Sequence, residues 1–141
     1  MAEAVDVLFI NPGDRKQIYQ GLGDEFSAIE PPVFAGLFAT YVRQKGLSAA
    51  IYDAPAFGVS AEEVARIATQ EYKPTLIVIV VYGFQPSAST QNMTAAGAIA
   101  RKVLDKLYGK VTIRGALVQM GTEKIVRANW SWSEVDNNPF F

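Results

Sequence analysis

Short apolar runs alternate along the chain with longer segments in which apolar residues recur at helical spacing. The apolar runs span residues 5–10, 49–53 and 76–82, and a further one begins at 111–113. The run 76–82 is apolar at every position, which is typical of a strand in a parallel sheet that is covered on both faces. This pattern predicts that the third strand lies at the centre of the sheet.

Helices are predicted between these runs. Apolar positions in 33–42 form one helical stripe, with Pro32 suited to the helix start and Gly46 to its end. The segment 60–63 is a capping box that opens a second helix, and a third helix covers 93–107. The alternating order βαβαβαβ predicts an α/β fold. Right-handed crossovers between successive strands then give a parallel sheet with helices on both faces. We expect an open, flavodoxin-like (Rossmann-like) parallel sheet of four or five strands in a three-layer arrangement.

Composition narrows the function classes. A length of 141 residues favours one globular domain. The net charge of −1 disfavours a nucleic-acid partner, since such proteins usually carry a basic surface. The absence of cysteine and histidine excludes disulfides, iron–sulfur ligation, nearly all zinc sites and histidine-dependent catalytic triads. No signal peptide is visible, and the longest apolar run is far shorter than the ~20 residues that span a bilayer. We therefore expect a cytoplasmic protein without a membrane partner.

Two loops form the candidate binding site. In a sheet of order 2-1-3-4, ligands bind beyond the carboxyl ends of strands 1 and 3, where the strand order reverses. The loop 11–30 has about twenty residues, longer than a simple connection requires, and 83–90 brings three hydroxyl side chains to a helix start, which suits an anion. The alternatives are a solvated loop or short helix for the first segment and a plain helix cap for the second. Asp53, at the end of strand 2, is interpreted as a solvated loop residue rather than a ligand of a ribose hydroxyl.

Four segments, 7–12, 14–25, 29–32 and 81–93, resemble the N-terminal cobalamin-binding domain of B12-dependent radical SAM proteins. The segment Gly115-Ala116-Leu117 takes the place at which that family often carries Gly-x-His, here without the histidine. The resemblance implies cobalamin as the cofactor. The residues that it implies for cofactor binding are Asn11, Pro12, Gln17, Tyr19, Gly83, Gln85, Pro86, Ser87, Ser89, Thr90 and Gly115.

The resemblance also implies a domain organisation and a role. Residues 1–120 would form a cobalamin-binding domain, free-standing or truncated at its C-terminal edge, and 121–141 a divergent aromatic tail or edge strand. Without cysteine the chain is not expected to be catalytic alone, so a separate radical SAM domain is the implied partner. Without histidine, cobalamin would bind with its benzimidazole off the cobalt. Two alternatives stay open: a flavodoxin-like domain that binds another nucleotide cofactor such as a flavin, and a fragment that binds nothing.

Overall fold

A computed structural model describes residues 4–13, 31–81 and 92–107, together with the backbone of 86–91, 113–118 and 125–130. The chain divides into two compact units, Met1–Lys106 and Leu107–Phe141. Each unit is described by itself below. The domain boundary expected at residue 120 stays a prediction.

The first unit alternates strands and helices. In chain order its elements are β1 (Val7–Asn11), α1 (Val33–Gln44), β2 (Ala49–Asp53), α2 (Ala54–Phe57), α3 (Ala61–Arg66) with a π-helical continuation (Ile67–Tyr72), β3 (Leu76–Ile79) and α4 (Pro86–Lys106). The second unit contains β4 (Ile113–Val118) and β5 (Ile125–Trp130). No helix among the described residues is long and apolar enough to cross a membrane.

The first unit contains a parallel three-stranded sheet of order β2-β1-β3. Val7 in β1 lies opposite Ala49 in β2 and opposite Leu76 in β3. The α/β fold class and the parallel sheet are therefore confirmed, in an arrangement consistent with a flavodoxin-like order.

Two details of the predicted sheet are wrong. Within the described part of the chain, β3 has β1 on one side and no strand on the other, so β1 and not β3 lies at the centre. The strand predicted to follow β3 in the parallel sheet, β4, instead pairs antiparallel with β5 in the second unit. The physical reason is that an apolar run reports that side chains are suited to burial, whereas the neighbours of a strand are set by backbone pairing.

Helices cover both faces of the sheet. Val7 and Phe9 of β1 pack on Ala35 and Ala39 of α1, with Val80 completing this cluster. Leu8 and Ile10 alternate to the opposite face and are fully buried. The right-handed crossover from β2 to β3 places α3 on that opposite face, where α3 packs against α4.

The predicted helix boundaries follow from local chemistry. Pro32, predicted at the first helical position, is instead the N-cap residue of α1, which begins at Val33. Gly46 follows that helix as predicted, with a positive φ of 84°, a conformation that favours glycine. The backbone N–H of Glu63 donates to Ser60 Oγ at 3.3 Å, so Ser60 caps α3 as the capping-box pattern predicts.

Candidate functional site at the carboxyl edge of the sheet

The carboxyl ends of β1 and β2 bring two polar side chains together. Asn11 and Asp53 end their strands in register. The Asn11 side-chain amide donates to Asp53 Oδ1 at 2.8 Å, and both side chains are half-buried. This bond uses one amide hydrogen and one carboxylate oxygen. The other amide hydrogen, the amide oxygen and the second carboxylate oxygen have the chemistry to bind a polar ligand.

The chain leaves β1 in close contact with α2. Pro12 is buried, and Gly13 lies so near Pro55 that a Cβ at position 13 would be 2.6 Å from Pro55 Cγ. Only glycine fits this approach, since non-bonded carbon atoms pack at about 3.5–4.0 Å. This contact sets the distance between the backbone just beyond Asn11 and the start of α2, and so helps to position the Asn11–Asp53 pair.

The strand order reverses at this edge. The connection through α1 carries the chain from β1 to β2, while β3 lies on the other side of β1. The Val80 amide donates to Ile10 O at 2.8 Å, which holds the end of β3 against β1. Ligands of open α/β sheets bind in the crevice that such a reversal creates.

An aromatic cluster supports α2 beside this edge. The Tyr52 ring stacks on Phe57 at 5.1 Å between centroids and meets the edge of Tyr72 at 6.4 Å. Burial, followed by the negative charge of Glu63, raises the pKa of the Tyr52 hydroxyl, so the phenol stays neutral. The cluster contributes packing to the site and adds no charge to it.

Several predicted site residues lie at this edge, and others lie outside the description. Asn11 and Pro12 are at the end of β1, and the backbone of Pro86, Ser87, Ser89 and Thr90 forms the start of α4. Gln17, Tyr19, Gly83 and Gln85 lie outside the described residues. Gly115 is in β4, in the second unit. The roles of all these residues in binding stay predictions.

Asp53 is the residue that sequence reasoning set aside. Its signal was present in the sequence, because Asp53 ends the second apolar run as Asn11 ends the first. Predicting that the two side chains pair requires the register of β1 and β2, which cannot be derived from the sequence. No group of three or more potential metal ligands occurs among the residues that the structure describes.

Comparison with known proteins gives a partial similarity. A stretch of 59 residues, 42% of this chain, is 63% identical to chorismate synthase of Allorhizobium ampelinum and covers 15% of that protein. The similarity points to chorismate synthases. Over stretches of the same length the identity is 49% to the chorismate synthase of Rhodospirillum centenum and 56% to that of Methylorubrum populi. The chain thus spans 15–16% of the length of these curated relatives. No family model and no solved structure matches.

These relatives overturn the cobalamin interpretation. All the relatives compared are named chorismate synthase, so the resemblance to a B12-binding domain of radical SAM proteins is wrong. The expected cobalamin cofactor, its benzimidazole-off binding mode and the separate radical SAM partner are therefore wrong as well. The resemblance depended on short motifs such as Asn11-Pro12 and 86–90. Strand ends and helix caps select such residues for local reasons in many folds.

Proposed function

We propose that the first unit binds a flavin nucleotide at the carboxyl edge of its sheet. The observation that carries this proposal is the strand order β2-β1-β3, which places the reversal between β1 and β3. In flavodoxin-like sheets of this order the flavin mononucleotide lies at that reversal. Since folds host many functions, the side chains at the site must supply the specific support.

The polarity of the edge favours one orientation of the ligand. Asp53 offers a carboxylate oxygen, which accepts hydrogen bonds from hydroxyl groups and repels a phosphate. The Asn11–Asp53 pair at the ends of β1 and β2 would therefore hold the ribityl hydroxyls. The start of α4 at Pro86, whose first backbone N–H groups lack helical partners, would hold the phosphate.

Titration of the full chain with flavin mononucleotide tests this proposal. Quenching of flavin fluorescence reports binding. Riboflavin, which lacks the phosphate, and ATP, which lacks the flavin ring and is added as a competitor, are the comparators. Asp53→Ala is expected to weaken binding at least tenfold, about 1.4 kcal/mol, the free energy of roughly one hydrogen bond to a charged group. The matched control is Asp105→Ala, which removes an exposed carboxylate from α4. Absence of binding at millimolar flavin, or equal affinity in the two variants, contradicts the proposal.

The relatives favour a second candidate function, a part in chorismate synthesis. On this proposal the 59-residue stretch can replace the corresponding stretch of a chorismate synthase. Activity then requires the remainder of that enzyme. The test is growth of a bacterium deleted for chorismate synthase. It expresses this chain together with a synthase that lacks the matching segment. Intact synthase and the shortened synthase alone are the two controls. Growth no better than with the shortened synthase alone refutes this candidate.

A further inference from the structure

Helix α1 carries an exposed apolar stripe. Val33, Leu37 and Tyr41 follow one another at four-residue spacing and are 57%, 59% and 61% exposed. Residues at this spacing lie on one side of a helix. Phe38, beside them, contacts Phe9 of β1 at 6.3 Å between ring centroids and is still 47% exposed. We call Val33, Leu37, Phe38 and Tyr41 the α1 stripe.

Val33, Leu37 and Tyr41 lie on the side of α1 opposite the buried Ala35 and Ala39, so they face away from the sheet. On one flank of the helix, the Arg43 guanidinium donates to the backbone oxygen of Ala49 at the start of β2. The flank that carries Phe38 is therefore directed toward β1 and β3. No described helix other than α1 lies on this face of the sheet.

β3 carries a further exposed apolar side chain on the face of the sheet that α1 covers. Leu76 of β3 shares a face with Val78 and Val80, which pack with α1, and Leu76 is 53% exposed. Aromatic side chains present roughly 150–250 Å² each when fully exposed, and valine and leucine somewhat less. At the observed exposures the four residues of the α1 stripe therefore offer on the order of 400 Å² per copy, about half of the ~800 Å² per partner in a standard stable interface.

Charge allows the stripe to meet a copy of itself. From Pro31 to Val42 the chain contains no aspartate, glutamate, lysine or arginine. The nearest cations, Arg43 and Lys45, lie at the C-terminal end of α1, where Arg43 donates to the backbone oxygen of Ala49 and the Lys45 ammonium lies 5.2 Å from the centroid of the Tyr41 ring. In an antiparallel symmetric pair centred on Leu37, the two Lys45 ammonium groups lie at opposite ends of the contact, so their repulsion is largely screened at physiological salt.

We propose that two copies of this chain associate through the α1 stripe, with a two-fold axis close to Leu37. The ridge formed by Val33, Leu37 and Tyr41 has the four-residue spacing that interdigitates with an identical ridge when two helices cross at about −50°. An isologous contact of this kind is self-complementary and closes at a dimer. It removes from water the large apolar side chains of α1 that the first unit leaves exposed.

Sedimentation velocity of the full chain over a range from micromolar to several hundred micromolar tests the proposal. The unmodified chain is expected to show a reversible dimer. Leu37→Glu is expected to raise the dimer dissociation constant at least 100-fold, because it buries an unpaired charge at the axis. Met93→Glu is the matched control, since Met93 is an exposed apolar residue of α4, which lies on the other face of the sheet. Circular dichroism verifies that both variants keep the fold.

Cross-linking gives a second, geometric readout. Because the chain has no cysteine, Leu37→Cys introduces a single thiol. Oxidation is expected to yield a disulfide-linked dimer for Leu37→Cys and none for Met93→Cys. A monomer at every concentration overturns the proposal, as does a dimer that Leu37→Glu leaves intact or one whose Leu37→Cys variant does not cross-link.

Discussion

Truncation of one leucine in β1 and one in β3 tests how deeply each strand is buried. Leu8 of β1 is fully buried, whereas Leu76 of β3 is 53% exposed. Leu8→Ala removes three buried carbon atoms and leaves a cavity between the sheet and the helices of one face. Substitutions of this kind cost roughly 3–5 kcal/mol at well-packed positions. Leu76→Ala removes the same atoms from a half-exposed position, so we expect about 1 kcal/mol.

Urea denaturation followed by circular dichroism measures both changes. With a slope of about 1.5 kcal/mol per molar urea, Leu8→Ala is expected to lower the midpoint by roughly 2–3 M and Leu76→Ala by less than about 1 M. The slope should stay the same in both variants, so that the midpoint reports stability. A Leu76→Ala variant as destabilised as Leu8→Ala would mean that Leu76 is buried in solution, which would contradict its exposure in the structure.

Two further predictions concern caps at the ends of elements. Ser60→Ala removes the acceptor that caps the Glu63 N–H at the start of α3 and should lower the free energy of unfolding by about 1 kcal/mol, measured by thermal denaturation. At the amino edge of the sheet, the Ser48 hydroxyl and, after it, the Ser48 backbone N–H donate to Asp6 and lower the pKa of its carboxyl group. Ser48→Ala should therefore raise the Asp6 pKa toward its ordinary value, as an NMR titration would show. Because the folded-state pKa is the lower one, the stabilisation by this contact is present above the unfolded-state pKa. It is lost as the pH falls through the folded-state pKa.

Local elements could be predicted from the sequence because their signals are local. The start of α1 after Pro32 and the cap at Ser60 each depend on a few neighbouring residues. The bounds of β2, 49–53, were also predicted, since an apolar run ends there at Asp53.

The central position of β1 could not be predicted in this way. The run 76–82 is more apolar than 5–10, yet the second pairing partner belongs to β1. Apolarity measures how much a strand gains from burial, and it carries no information on which strand lies next to it. The Asn11–Asp53 pair was missed for the same reason, because residues 42 positions apart meet only through the register of two strands.

Gly13 lies against Pro55, close to the Asn11–Asp53 pair, so a methyl group at position 13 should disturb both the backbone there and this hydrogen bond. The Cβ of an alanine would lie 2.6 Å from Pro55 Cγ, and the proline ring at the start of α2 has little freedom to yield. Either the chain beyond Asn11 lifts away or α2 shifts, and each movement changes the distance between Asn11 and Asp53, now 2.8 Å. Overpacking of this kind costs about 1–3 kcal/mol.

The matched control for this substitution is Gly36→Ala in α1. A Cβ at position 36 meets nothing within 4 Å, so the higher helix propensity of alanine should stabilise the chain by up to about 1 kcal/mol. Gly13→Ala should instead lower the unfolding free energy and shift the side-chain amide resonances of Asn11. Because the clash is with Pro55, adding Pro55→Ala should recover part of the loss, so the two substitutions are not additive. If Gly13→Ala is as stable as Gly36→Ala, or if Pro55→Ala recovers nothing, then Gly13 does not position the Asn11–Asp53 pair through its contact with Pro55.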